Sequence, residues 1–384
     1  MEALPPPAHA LLRLHLTPGV GPVLGRRIAQ VIDPAALDQC TPADLARIEG
    51  IGAKRAAAIH AGLAASRNAV ARERSLLDRA AAHVITLADG DYPPILAEAP
   101  DAPLALFVRG SLHAEPMRYP VAIVGSRACT AYGVEQAQRF AAAFAGAGLA
   151  VISGGARGVD SAAHAAAARI GGVTVVVLGC GLGHCYPPEN EGLFRAVVEA
   201  GGALVSEFPF ETGPAPENFP IRNRVISGLS LGVLVIEAPA GSGALITARH
   251  AVEHHGRDVF AVPGRVDSPA SSGCHALIRD GEAALVTSPQ DVIAMLESRA
   301  RHIHDGTHAA RFASANPAPP AHTVIRTELL SDAQRNIVEA LDAPATVDEL
   351  ADRTGLPPET VRVELTTLEL LGALKRSGSR IARA

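Results

Sequence analysis

The chain has 384 residues, with 34 basic and 39 acidic side chains and a formal net charge of −5. Any nucleic-acid partner must therefore meet a local basic surface, because the summed charge is slightly repulsive. At about 100–200 residues per domain the length predicts two to four domains, and 48% hydrophobic against 19% charged residues excludes a disordered or fibrous chain.

The longest uncharged run, Ile170 to Pro188, is broken by repeated glycines and ends in two prolines, so no membrane span is expected. The opening MEALPPPAHA has no basic stretch followed by an apolar one, so the expected location is the cytoplasm. Cys40, Cys129, Cys180, Cys185 and Cys274 form no C-x-x-C pair, which predicts buried reduced thiols. His254 and His255 are adjacent, without a second histidine at ligand spacing beside a glutamate, so no metal is expected.

In chain order, residues 1–83 read as a helical domain with a connector. Two segments, LRLHLTPGVGPVLGRRIAQVI and CTPADLARIEGIGAKRAAAIHAGL, share one pattern. In each, a short helix runs into Gly-x-Gly (Gly19 and Gly21; Gly50 and Gly52) and then a helix with early cations (Arg26 and Arg27; Lys54 and Arg55). This resembles the helix-hairpin-helix (SAM-like) repeat. Its glycines let backbone approach a phosphate while the next helix presents its N-terminus, making Gly50, Gly52, Lys54 and Arg55 candidate accessory DNA contacts. A purely packing or docking role stands beside that reading.

Residues 84–298 read as an α/β domain with a Rossmann-like, doubly wound, mostly parallel sheet. Six apolar runs, YPVAIVG, LAVISGG, VTVVVLG, ALVSEF, VLVIEA and DVFAVPG, alternate with amphipathic stretches. Strands apolar throughout point to a sheet covered on both faces. Residues 299–323 lack periodicity and read as a flexible linker. Residues 324–384 read as three helices and a short basic hairpin, the outline of a winged helix-turn-helix. Its presumed recognition helix, about Pro358 to Leu371, carries Glu359, Glu364 and Glu369 against Arg362. That acidity favours protein docking over DNA reading, with both open.

Glycine-rich turns after the strands are candidates for ligand binding, since open α/β sheets bind at the carboxyl ends of their strands. Gly125-Ser126-Arg127, Gly154-Gly155 with Arg157, and Gly241-Ser242-Gly243 could each cradle a phosphate with backbone amides, helped by guanidinium forks. No P-loop is present, and G-x-G-x-x-G is not matched cleanly. Gly228-Leu229-Ser230-Leu231-Gly232 fits G-x-S-x-G, but the strand follows it, so Ser230 is not expected to be a nucleophile. The stretch Glu217 to Gly228 sets Phe219 among Arg222, Asn223 and Arg224, an aromatic-plus-cation recipe for single-stranded nucleic acid. Equally, Phe219 could be core and the arginines paired with carboxylates.

The runs VAIVGSR, SGGARGVDSAAHAAAA, VLGCGLGHCYPPEN, SEFPF, ENFPIRNRVISGLS and VIEAPAGSGALITARHA together resemble the DNA-processing protein A (DprA/Smf) family, over about residues 85–290. The resemblance implies a homodimer that binds and protects single-stranded DNA and loads the RecA recombinase during natural transformation, with no catalytic residue and no cofactor. It places phosphate contacts on Gly125, Ser126, Arg127, Gly154 and Gly155, a stacking ring on Phe219, and backbone-holding groups on Arg222, Asn223 and Arg224. Asp160, Glu237 and Asn223 would brace the turns. The core also resembles nucleotide phosphoribohydrolases, the alternative enzymatic reading. There Pro239 to Thr247 would hold a catalytic glutamate, and Thr247 stands in its place. A duplex-binding transcription factor is disfavoured by the acidic recognition helix.

Overall fold

The computed structural model describes residues 4–112, 115–304, 331–341, 345–370, 374–377 and 380–383, in two units, Met1–Asp305 and Gly306–Ala384. The first unit opens with two helical hairpins: α1 (Pro6–His15) and α2 (Pro22–Val31), then α3 (Pro42–Ala46) and α4 (Ala53–Arg79). Prolines start α1, α2 and α3 where their missing N–H costs nothing, and Thr41 with Asp44 closes a capping box on α3. The expected separate connector is instead part of α4, one 27-residue helix. Its buried residues Ala56, Ile59, Leu63, Ser66, Val70, Glu73 and Leu77 recur every three or four positions, an unbroken stripe.

Among the described residues the first unit holds one nine-stranded sheet, in the order β1-β2-β6-β5-β4-β3-β7-β8-β9. Six strands are those read from the sequence: β3 (Pro120–Val124), β4 (Ala150–Ser153), β5 (Thr174–Val177), β6 (Ala203–Ser206), β7 (Gly232–Val235) and β8 (Asp258–Ala261). Three were not anticipated: β1 (His83–Thr86), β2 (Ala105–Gly110) and β9 (Ala284–Leu285). β1 and β2 are antiparallel to each other, and β2 to β6, while the run from β6 to β9 is parallel. Helices α6 (Ala131–Gly146), α7 (Val159–Arg169), α8 (Glu191–Glu199) and α10 (Gly243–Glu253) match the predicted crossovers; α5 (Pro94–Ala97), α9 (Asn218–Gly228), α11 (Ser272–Arg279) and α12 (Pro289–His304) are additional. α12 occupies 299–304, where the linker was expected to begin; the rest of that stretch lies outside the described residues. Two apolar clusters sandwich the sheet. One contains Phe140, Phe144, Val151 and Ile123, the other Ile152, Val177, Val205 and Val225.

The hairpins pack on the sheet's antiparallel end. Leu104 joins the hairpin core, and Leu12 of α1 joins the cluster around Phe107. Arg26 donates to Ala99 O (2.8 Å) and Ala97 O (2.5 Å), His15 Nε2 meets Glu207 O (2.7 Å), and Phe210 N donates to Glu73 (2.6 Å).

The second unit contains α13 (Asp332–Glu339), α14 (Val347–Thr354), α15 (Pro358–Leu370) and the antiparallel pair β10 (Leu374–Ser377) and β11 (Arg380–Arg383). Ile337, Leu350, Val361, Leu365 and Ile381 form its core. Capping boxes at Ser331 and Thr346 start the first two helices, and left-handed Gly355 ends α14.

Candidate nucleic-acid interface

From β3 the chain steps outward through β4 and β5 to β6, then returns to β3's other side with β7 and continues through β8 to β9. The loops leaving β3 and β7 therefore part in opposite directions and open a crevice at their carboxyl ends. A pocket of about 600 Å³ sits there. Gly125, Ser126 and Arg127 enter it from β3, Phe219, Arg222 and Asn223 from α9, and Ser242 and Gly243 from the start of α10.

Close backbone approach shapes the first turn. Ser126 N donates to Glu237 O (2.7 Å) and Ile236 N to Val124 O (3.1 Å), tying the two strand exits together. A Cβ on Gly158, whose φ is +76°, would lie 2.4 Å from Ser126 O, so only glycine fits. Glu237 accepts from Thr130 N (2.7 Å) and Thr130 Oγ1 (2.9 Å). Asp160 accepts from Gly154 N and Ala156 N, each at 3.2 Å. Both carboxylates brace turns through N–H and O–H donors. The Gly154 amide, expected to face a phosphate, is spent on Asp160, and Gly155 is buried against Val176 and Phe194.

The residues of α9 divide between the two readings. Arg222 is buried; its Nη1 donates to Gly154 O (2.6 Å) and Val177 O, and its Nε to Asn223 Oδ1 (3.2 Å). Burial lowers the Arg222 guanidinium to about 10 and raises the Asp160 carboxyl, while their mutual attraction opposes both shifts. Asn223 donates to Gly243 O (3.3 Å), a brace through a carbonyl rather than an amide. Arg224 is outside the pocket lining, paired with Glu207 (2.5 Å) and donating to Asp101 O. The arginines of α9 thus hold the fold together, Arg224 through a carboxylate as the structural alternative had it and Arg222 through carbonyls and a side-chain amide instead. Phe219 does not belong to the core. It is half-buried in the pocket, with the exposed Arg127 guanidinium 5.0 Å from its ring centroid and Tyr186 5.4 Å away at 45°. Such a cation over a ring is worth about 0.5–1 kcal/mol when exposed.

Tyr186 was missed, although it stands in the glycine-rich VLGCGLGHCYPPEN run and is one of four tyrosines in the chain. A smaller pocket joins it to Arg127, Arg157 and Phe219; Arg157 is exposed and paired with Glu189. Ser242 caps α10 by accepting from Ala244 N (3.3 Å), and Gly241, at φ +80°, makes the turn before it. In the hairpins, Arg55 donates to Gly19 O (3.2 Å) and Arg27 to Glu49 O (3.4 Å), so each hairpin's cation grips the other's turn. Gly50, Gly52 and Lys54 are exposed.

The crevice offers ring faces, a guanidinium and turn amides. Ser230 is buried and donates to Ile226 O (2.8 Å), with β7 after it, not before. Ser227, His255 and Asp101 do form a serine–histidine–aspartate chain (2.9 and 3.0 Å), but the hydroxyl is fully buried and has Arg224 O as a competing acceptor for its one proton (3.2 Å). That chain locks α9 against the 97–101 loop. Thr247, which replaces the phosphoribohydrolase glutamate, lines the pocket. Among the described residues no group of three or more histidine, cysteine or acidic side chains could hold a metal, and no helix is long and apolar enough to cross a membrane. Cys185 is exposed, unlike the buried thiols expected.

The family model "DNA recombination-mediator protein A" matches residues 83–297, "DprA winged helix domain" residues 314–378, and "SAM-like Helix-hairpin-helix tandem" residues 11–65. Protein Smf of Escherichia coli K12 is 41% identical over 290 residues, covering 76% of this chain and 74% of that protein. The crystal structure of DNA processing protein A from Streptococcus pneumoniae superposes with a TM-score of 0.64 at 34% identity, over 77% of this chain and 98% of that one. DNA processing protein A from Helicobacter pylori, solved to examine its single-stranded DNA binding mode, gives 0.50 at 27% identity, over 56% of this chain and 97% of that one. With its sheet, its hairpins and its winged helix all accounted for, the chain belongs to the DNA recombination-mediator protein A (DprA/Smf) family.

Proposed function

We propose that the chain is a non-catalytic single-stranded DNA-binding mediator that works as a homodimer in the cytoplasm, protects incoming strands and loads RecA onto them in natural transformation. The observation that carries this reading is Arg127 poised 5.0 Å over Phe219, beside Tyr186, at the mouth of the switch-point pocket. An unstacked base offers a face to the rings, and the guanidinium and turn amides meet the backbone. The binding mode studied in the Helicobacter pylori relative supports the same partner.

Within that reading Gly125, Ser126, Arg127, Phe219, Gly241, Ser242 and Gly243 contact the strand and Arg157 extends the basic rim. Gly154, Gly155, Arg222, Asn223 and Arg224 keep the surface in shape. The working division of the chain is a hairpin domain to residue 83, a strand-binding domain to 298, a linker to 323 and a winged helix thereafter. Fluorescence anisotropy of labelled oligo-dT and of the matching duplex, across a salt series, tests the proposal. Single-strand preference is expected, weakened in Arg127→Ala, with the slope of log K against log salt reduced by about 0.7. Binding to neither DNA would overturn it.

A further inference from the structure

A second pocket, of about 430 Å³, lies between α8 and the β5–β6–β2 end of the sheet. Its walls are apolar and aromatic, with Leu178, Leu182, Phe194 and Phe210 among them. Arg109 enters from β2. Its Nη2 donates to Leu182 O (3.2 Å), while its Nε is buried without a hydrogen-bond partner. A buried donor left unmatched is unfavourable and invites an acceptor from whatever fills the space.

One loop forms a wall of both pockets. Tyr186 faces the pocket of Arg127 and Phe219, while Leu182, His184 and Cys185, just before it, line the second one. His184 and Cys185 are exposed, so the crossing between the pockets is open to solvent. Arg195, also among the lining residues, is exposed and only loosely paired with Glu191, at 3.9 Å.

We infer that this is a second base-binding pocket, which takes a nucleobase of the same strand after it has passed over Tyr186. The inference rests on the single-strand reading above and extends it. A nucleobase supplies what the cavity lacks: a flat apolar body between aromatic walls and a ring oxygen or nitrogen to accept from Arg109 Nε. An apolar peptide side chain would leave that donor unmatched. A phosphate inside would meet Glu191 and Glu199 among the lining side chains, so the charged backbone stays at the mouth, where the exposed Arg195 can meet it.

The test uses the full chain and oligo-dT of about twenty nucleotides carrying one 5-iododeoxyuridine at successive positions, photo-crosslinked and mapped by peptide mass. Two clusters of cross-links are expected, one on peptides containing Tyr186 or Phe219 and one on peptides containing Phe194 or Phe210. Arg109→Gln, and independently Phe210→Leu, removes the second cluster. Each weakens long oligonucleotides about fivefold, the low end of what one stacked base contributes, and leaves short ones unchanged. Cross-links confined to the first cluster, with both variants binding like wild type at every length, overturn the inference and leave the single-strand reading standing. Absence of both clusters overturns both.

Discussion

At the residue scale, cations that look alike in sequence divide by what their guanidinium groups already hold. Arg127 is exposed over an aromatic ring, whereas Arg222 is spent on two carbonyls and a side-chain amide. Phe219→Ala should therefore cost about 1–3 kcal/mol of strand binding with the salt slope unchanged, while Arg127→Ala flattens the slope. Arg222→Ala should lower thermal stability and leave the salt slope of the folded fraction as in wild type, because no phosphate is lost. A different readout attaches to His15, partly buried against Glu207 O and pushed down to about 4 by loss of solvation. The unfolded chain takes up that proton first as pH falls, so the stability His15 confers is complete above about pH 6.5 and is lost progressively towards pH 4. Between pH 7 and pH 5 this amounts to about 2 kcal/mol. His164, pushed to about 3 by burial, adds to the same slope. Thermal melts of His15→Gln should show a flatter stability curve over that window, and an unchanged curve would refute the assignment.

At the element scale, α9 decides how the site is read. It is buried along Arg222 to Gly228, and a helix buried all round carries no polar face to reveal its period. Its Asn, Pro, Arg and Ser content reads instead as a loop with cations, which is why the residues were legible and the helix was not. The six parallel strands were legible because each is an uninterrupted apolar run between glycine turns. β1 and β2 were not, being antiparallel strands at one end of the sheet, separated by the proline-rich 93–103 stretch. The position of the pocket followed from strand ends alone, but the division of labour among arginines depended on partners such as Glu207, some distance away in sequence. Arg224 and Glu207 form a buried pair behind the site. Arg224→Met should destabilise the protein by about 3–5 kcal/mol in denaturant titration, because it strands the glutamate. A loss below about 1 kcal/mol would mean that the pair is solvated.

At the scale of the whole molecule, hairpins and sheet share one unit, joined by Arg26, His15 and Glu73 as well as by packing around Leu12 and Leu104. The winged helix has its own core, and Glu364 on its third helix accepts from Gln334 (2.7 Å). The pocket between β3 and β7 also has a consequence for biosynthesis. About a hundred residues separate the end of β3 at Val124 from the start of β7 at Gly232. On the ribosome, β4, β5 and β6 can assemble beside β3 while its other flank still waits for a neighbour. The crevice comes into being only when β7 docks there, so a nascent or prematurely terminated chain can possess most of the sheet and none of the cleft. Any ligand that needs both walls of this crevice is thus reserved for molecules whose translation has carried past the central strand's last partner.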